Sequence, residues 1–290
     1  MFSAQQLKDK IKNIAQGDSM KSQLLLRNYM MERFLARVAL SEYKDNFILK
    51  GGMLVSAVVG IQARATMDID TTVRALPLKL EDAKSIVEKI IAIDANDGVT
   101  FEIKKVSDIM EEHDYSGIRL VIDAWLGNLK QAIKVDISTG DEITPNAIRY
   151  FYKLMFDGGE LAVWSYNLET LLAEKLETIM ARGTANTRMR DFYDIYTLWH
   201  EKETEINVEI LRKAFYNTAN KRSTLSLIEN LNSVLKEIGY SADLRKLWLN
   251  YLQNSVYAKD LEWDKVLETV KLVFSKIVYS KENREWKKFS

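Results

Sequence analysis

The sequence predicts an α+β protein, with a sheet-bearing unit near residues 42–160 and helical layers before and after it, the C-terminal one larger. Short runs with strand character are confined to that central stretch, while helical periodicity fills residues 4–41 and everything from Asn167 onward. Only two prolines and twelve glycines interrupt the 290 residues, which favours long helices. The expected division is residues 1–160, the sheet unit with its N-terminal helices, and residues 161–290, a helical domain.

Residues 4–41 read as two helices broken near Gly17-Asp18-Ser19, the second carrying Leu25, Tyr29, Phe34, Leu35 and Val38 near helical spacing. Asn46 to Lys50 is strand-like and ends at Gly51-Gly52, and Met53 to Val59 resumes as a small helix. A strand is expected over 64–74, a helix from Leu78 to Asp94 and a strand from Val99 to Val106. Residues 118–125 and 131–138 form an antiparallel pair joined through Gly127-Asn128, a turn-forming dipeptide. In the second of these, Ile133, Val135 and Ile137 alternate with Lys134, Asp136 and Ser138, which puts Asp136 on the face opposite the core.

Bulk properties narrow the chemistry. No apolar run approaches the roughly 20 residues that span a bilayer, and the N-terminal residues lack a signal peptide's layout. The expectation is a cytoplasmic protein without a membrane partner. Zero cysteines exclude disulfides and thiolate metal sites, and two histidines, His113 and His200, make a histidine-built zinc site a poor fit. Metal chemistry must then run on carboxylates, which favour Mg²⁺ or Mn²⁺. The 41 basic and 41 acidic residues balance, so bulk charge gives no signal for nucleic acid.

The most informative stretch is Gly51-Gly52-Met53-Leu54 followed by Arg64-Ala65-Thr66-Met67-Asp68-Ile69-Asp70. Residues i and i+2 of a strand share a face, so Asp68 and Asp70 point together while Ile69 points into the core. Adjacent carboxylates repel unless a cation sits between them, and a divalent ion resolves this. Asp136 is the candidate third ligand; Asp123 competes, but Trp125 and the hairpin turn follow it closely. Such a cage can hold one or two Mg²⁺ that bridge phosphates and activate a hydroxyl. Gly51-Gly52 before a helix offers backbone N–H groups to phosphate. Each feature alone is commonplace; their combination points to nucleotide chemistry.

Two helical motifs follow. Asn167 caps a helix whose apolar stripe is Leu168, Leu171, Leu172 and Ile179, and Lys175 falls inside that stripe with Arg182 seven residues further. A lysine so placed snorkels, forms a buried salt bridge or clamps a bound anion. In Arg188-Met189-Arg190-Asp191-Phe192-Tyr193-Asp194-Ile195, Asp191 suits a helix N-terminus and Asp194 can pair with Arg190. His113 reads as loop, His200 as a helix C-terminal charge, and the tryptophans as packing residues. Basic clusters at Lys221-Arg222 and from Arg284 to Lys288 can touch RNA phosphates, though such clusters are more often solvated surface.

Gly51-Gly52, the Arg-x-Thr-x-Asp-Ile-Asp run, Lys134-Val135-Asp136-Ile137-Ser138, Ala173-Glu174-Lys175-Leu176 and Arg190-Asp191-Phe192-Tyr193-Asp194-Ile195 together resemble the polymerase-β-like nucleotidyltransferase superfamily. More narrowly they resemble the AbiEii toxins of bacterial abortive-infection systems, over roughly residues 45–200. The wider superfamily reads Gly-Ser where this chain has Gly51-Gly52, so no serine hydroxyl is available there, and the spacing to Asp68 is longer. The resemblance implies transfer of a nucleotide from an NTP with release of pyrophosphate. It assigns Asp68, Asp70 and Asp136 to metal, and Gly51, Gly52, Arg64, Thr66, Lys175, Arg182 and Asp194 to the nucleotide. Lys175 and Asp191 join the catalytic set. It further implies a toxin in phage defence, an antitoxin encoded alongside without a required stable complex, and tRNA as acceptor. A nucleotide-binding regulator without transfer chemistry, or an enzyme acting on protein or a small molecule, is the alternative.

Overall fold

The computed structural model describes residues 2–76, 79–110, 116–156 and 158–278. Two compact units result, one built from residues 1–141 and 147–166, the other from residues 142–146 and 167–290.

The first unit holds a seven-stranded mixed sheet. Its strands are β1 (Phe47–Lys50), β2 (Asp68–Val73), β3 (Val99–Met110), β4 (Ser116–Leu126), β5 (Leu129–Thr139), β6 (Ile148–Lys153) and β7 (Glu160–Ser165), in the order β3-β4-β5-β2-β1-β7-β6. β2 runs parallel to β5 and β1 parallel to β7, and the remaining neighbours are antiparallel. Four helices join it: α1 (Ala4–Ala15), α2 (Ser19–Leu40), α3 (Gly51–Val59) and α4 (Leu80–Ile91). The break between α1 and α2 falls where the sequence placed it, with Gly17 at φ 88° and Asp18 capping α2 by accepting from the Lys21 N–H. Met30, Met31, Phe34 and Leu35 of α2 are buried, as are Ile69, Leu120, Ile122, Val135 and Ile137 of the sheet. Ile69, Val135 and Ile137 alternate with Asp68, Asp70, Lys134, Asp136 and Ser138, which leaves the other face for charge.

Several elements differ from expectation. The strand expected over 64–74 begins only at Asp68, because Arg64 and Thr66 turn inward and are buried against Gly52. The helix expected from Leu78 to Asp94 runs from Leu80 to Ile91. β3 continues to Met110, beyond the expected end at Val106. β6 and β7 carry no sequence expectation: β6 is an edge strand with only Tyr152 buried, so it lacks an apolar alternation to read. The hairpin through Gly127-Asn128 forms as expected, with Gly127 at φ 56° and Leu126 opposite Leu129.

The second unit is helical: α5 (Leu168–Arg182), α6 (Met189–Lys202), α7 (Val208–Lys221), α8 (Leu231–Tyr240), α9 (Ala242–Asn254) and α10 (Trp263–Ile277). Asn167 caps α5, its side chain accepting from the Thr170 N–H at 2.7 Å and donating to the Thr144 carbonyl at 2.8 Å. Trp199, Trp248 and Trp263 pack as expected and Phe192 is buried with them, the ring centroids of Phe192 and Trp263 lying 5.0 Å apart, while Trp286 lies outside the described residues. No described helix is long and apolar enough to cross a membrane.

Candidate functional site

The charged face of the sheet in the first unit is set by register. In the parallel β2/β5 pair Asp70 stands beside Asp136 and Asp68 beside Lys134, while in the β1/β2 pair Lys50 stands opposite Asp70. Side chains in register share a face, so Asp68, Asp70 and Asp136 line one surface, as the sequence predicts.

Asp70 is anchored most closely. Its Oδ2 accepts from the Gly52 N–H at 3.0 Å, at the N-terminus of α3. Gly51 explains why the approach is possible. It has φ 60°, and a Cβ there would lie 2.1 Å from Asp70 Oδ2. A Cβ on Gly52 would lie 2.6 Å from Thr66 Oγ1 and 3.1 Å from an Arg64 guanidinium nitrogen. The glycine pair therefore gives room first to the chain's own Asp70, Thr66 and Arg64. Burial raises the Asp70 carboxyl above its ordinary 3.8; the Gly52 N–H and Lys50 oppose this, and the Asp136 and Asp68 charges add to it.

Asp68 Oδ1 is buried and has no hydrogen-bond partner among the described residues, with Lys134 Nζ 4.0 Å away. An orphaned carboxylate oxygen beside a second carboxylate that resists ionisation is the donor chemistry of a divalent-cation site. Those two residues fit such an ion. Asp136 is already engaged: Arg119 of β4 donates from Nε to Oδ1 at 2.8 Å and from Nη2 to Oδ2 at 2.6 Å. Among the described residues no group of three or more acidic or imidazole side chains is arranged to hold a metal ion. Asp123, the competing third ligand, is paired with Lys130 at 2.7 Å.

Arg119 has no role in the sequence reading, although a signal for it exists. A two-residue turn at Gly127-Asn128 sets Leu126 opposite Leu129, and counting back along both strands sets Arg119 opposite Asp136. A second cluster was also missed: Asp141 accepts from Lys50 at 2.5 Å, Ser138 at 2.9 Å and Tyr166 at 2.7 Å, tying the ends of β1, β5 and β7 together. Burial alone would raise the Asp141 carboxyl, but Lys50 and the hydrogen bonds outweigh it and hold it low.

In the second unit, Lys175 lies in the buried stripe of α5 as expected and donates to Asp191 Oδ1 at 3.0 Å and Asp194 Oδ2 at 2.7 Å. Its side chain is 8% exposed and those of Asp191 and Asp194 are 4% and 0% exposed, so pairing with one another offsets the cost of burying these ions. Arg188 adds a contact to Asp191 Oδ2 at 2.7 Å. Burial would raise the Asp191 carboxyl, but Lys175 and Arg188 hold it below its ordinary value. Asp191 sits in the first turn of α6, as expected for a helix N-terminal charge; Asp194 pairs with Lys175, where the sequence suggested Arg190. Arg182 ends α5 and is half-buried. Arg222, suggested for RNA contact, pairs with Glu177 at 2.6 Å and Glu174 at 3.2 Å. His200 lies in the last turn of α6, its Nε2 3.2 Å from Thr269 Oγ1. His113 and the cluster from Arg284 to Lys288 lie outside the described residues.

This arrangement can be set against known proteins. Residues 33–269 match the family model described as the nucleotidyl transferase AbiEii toxin of type IV toxin–antitoxin systems. The chain belongs to the AbiEii family. It is therefore a nucleotidyltransferase, as its motifs predicted, and its family is one of toxins. Among curated proteins none matches the sequence. Of solved structures, JHP933 from Helicobacter pylori is similar at 13% identity and a TM-score of 0.49, covering 92% of this chain and 97% of that one. An antigenic nucleotidyltransferase-like protein from Paracoccidioides brasiliensis is similar at 15% identity and a TM-score of 0.39, covering 72% of this chain and 93% of that one.

Proposed function

We propose that this AbiEii protein transfers a nucleotide from an NTP to tRNA, with release of pyrophosphate, and that the transfer depends on Mg²⁺ or Mn²⁺ held by Asp68 and Asp70 with Asp136 as a further ligand. The observation that supports it most is the shared face of these three carboxylates, with Asp68 Oδ1 orphaned and Asp70 fixed against Gly52. A divalent ion bound there supplies charge neutralisation to the phosphates and lowers the pKa of the attacking hydroxyl. The chain's own residues do the positioning. The Gly52 N–H fixes the Asp70 carboxylate, and Gly51 leaves space for it. Arg64 and Thr66, buried against Gly52, back the α3 N-terminus that is assigned to the phosphates, and within the helical unit Lys175 and Arg182 are the cations assigned to the nucleotide, with Asp191 and Asp194 orienting Lys175. Positioning and electrostatic stabilisation account for most of the catalysis of phosphoryl transfer.

The biological reading is a cytoplasmic toxin that slows growth during phage infection and is opposed by an antitoxin encoded beside it. The test is incubation of the purified chain with Mg²⁺, total bacterial RNA and each labelled NTP in turn, beside Asp68→Ala. Label in tRNA-sized RNA with the unmodified protein alone is expected. Equal label with Asp68→Ala would remove the metal assignment, and label only in protein would replace tRNA as acceptor.

A further inference from the structure

Arg119 bonds both oxygens of Asp136, yet its own side chain is 39% exposed. It is a cation set into an acidic face from a neighbouring strand, and the charges of Asp68 and Asp70 favour its protonated form along with Asp136. The other cations of that face are differently placed. Lys50 is bound to Asp141, and Lys134 stands 4.0 Å from Asp68. On the far side of β4, the residue in register with Arg119 is Ser107, a small side chain that puts no bulk beside the guanidinium from that position. A long, half-exposed side chain beside a small neighbour can leave its partner by rotation alone.

We propose that Arg119 is an exchangeable counter-ion of the carboxylate face: it holds Asp136 in the metal-free protein and releases it when a divalent cation binds at Asp68 and Asp70. The inference rests on the metal-dependent reading above and adds a positioning residue to it. A divalent ion and a guanidinium compete for the same two carboxylate oxygens, and each weakens the other's hold on Asp136 by the same factor. Arg119 keeps the acidic face neutralised and Asp136 oriented before the ion arrives, and it sets the cation concentration at which the third ligand becomes available.

The experiment is titration of the metal-free full chain with Mn²⁺, followed by electron paramagnetic resonance and calorimetry, for the unmodified protein, Arg119→Gln, Arg119→Lys and Asp68→Asn/Asp70→Asn. Arg119→Gln is expected to bind Mn²⁺ on the order of tenfold more tightly, Arg119→Lys much less so, and the double aspartate variant to lose the site. Phenylglyoxal should also modify Arg119 faster with Mn²⁺ present, read by peptide mass spectrometry. Unchanged or weaker binding by Arg119→Gln, or a labelling rate indifferent to Mn²⁺, overturns the exchange while leaving the metal site standing. Binding by Asp68→Asn/Asp70→Asn equal to that of the unmodified protein, or no binding by any variant, removes the metal reading and the exchange with it.

Discussion

Aspartates crowd together twice in this protein, and the two regions resolve the repulsion differently. On the sheet face, Asp68, Asp70 and Asp136 are partly open to solvent, one Asp68 oxygen has no hydrogen-bond partner among the described residues, and the Asp70 carboxyl is raised. In the helical unit, Asp191 and Asp194 are shut around Lys175, and the Asp191 carboxyl is lowered. The first region draws Arg119 from its own chain to Asp136 but leaves one Asp68 oxygen without a hydrogen-bond partner among the described residues, the opening at which a cation from solution is proposed. The second supplies its cation from its own chain, so it is a folded-state necessity before it is anything else. Identical side chains thus diverge in role because burial and built-in partners differ.

The largest separation between the regions is expected from deleting their charges. Asp68→Asn/Asp70→Asn should lower nucleotide transfer by at least about a hundredfold, as loss of charge stabilisation at a reacting phosphate does, while the thermal midpoint holds or rises. A midpoint that collapsed would show that the sheet carboxylates carry the fold. Lys175→Met should do the reverse and cost roughly 3–5 kcal/mol in urea unfolding, because two buried carboxylates lose their shared partner. Adding Asp194→Asn to Lys175→Met should recover part of that stability; if transfer returned with it, the lysine's contribution to the nucleotide would be in doubt.

A smaller effect is expected at Gly51. Alanine there meets both a positive φ and the Asp70 carboxylate, and a strained backbone position costs about 1–3 kcal/mol. Transfer should fall as well, since Asp70 has to move. Wild-type activity in Gly51→Ala would show that Asp70 need not stay against α3.

The subtlest comparison is pH dependence, measured on metal-free protein, where the two regions should have opposite signs. Asp191 is lowered in the folded protein, so its contribution is present above its ordinary 3.8 and is lost as pH falls through the folded value. Asp70 is raised, so ionising it costs stability at neutral pH, and that cost is relieved as pH falls from the folded value towards 3.8. Asp70→Asn should therefore gain stability over the unmodified protein at pH 7, and the gain should vanish near pH 4. Asp191→Asn should lose stability at pH 7 and lose less in acid. Parallel slopes in urea unfolding would contradict the contrast.

Composition and periodicity by themselves determined the α+β class, the break between α1 and α2, the hairpin at Gly127-Asn128, the shared face of Asp68 and Asp70, and the inward placement of Lys175. All of these follow from local rules: period 2 in strands, period 3.6 in helices, and the turn preference of a Gly-Asn pair. The partner of each charge depended on which strands and helices meet. Arg119 was implicit in the hairpin register, but Lys50 with Asp141, Arg222 with Glu177 and Lys175 with Asp194 join residues 91, 45 and 19 positions apart. β6 and β7 likewise became strands through pairing, since their own apolar alternation is weak. Only tertiary structure could decide that one aspartate keeps an orphaned oxygen while another is enclosed with a lysine. Desolvation and pairing energies belong to the surroundings of a side chain, and the packed fold creates those surroundings.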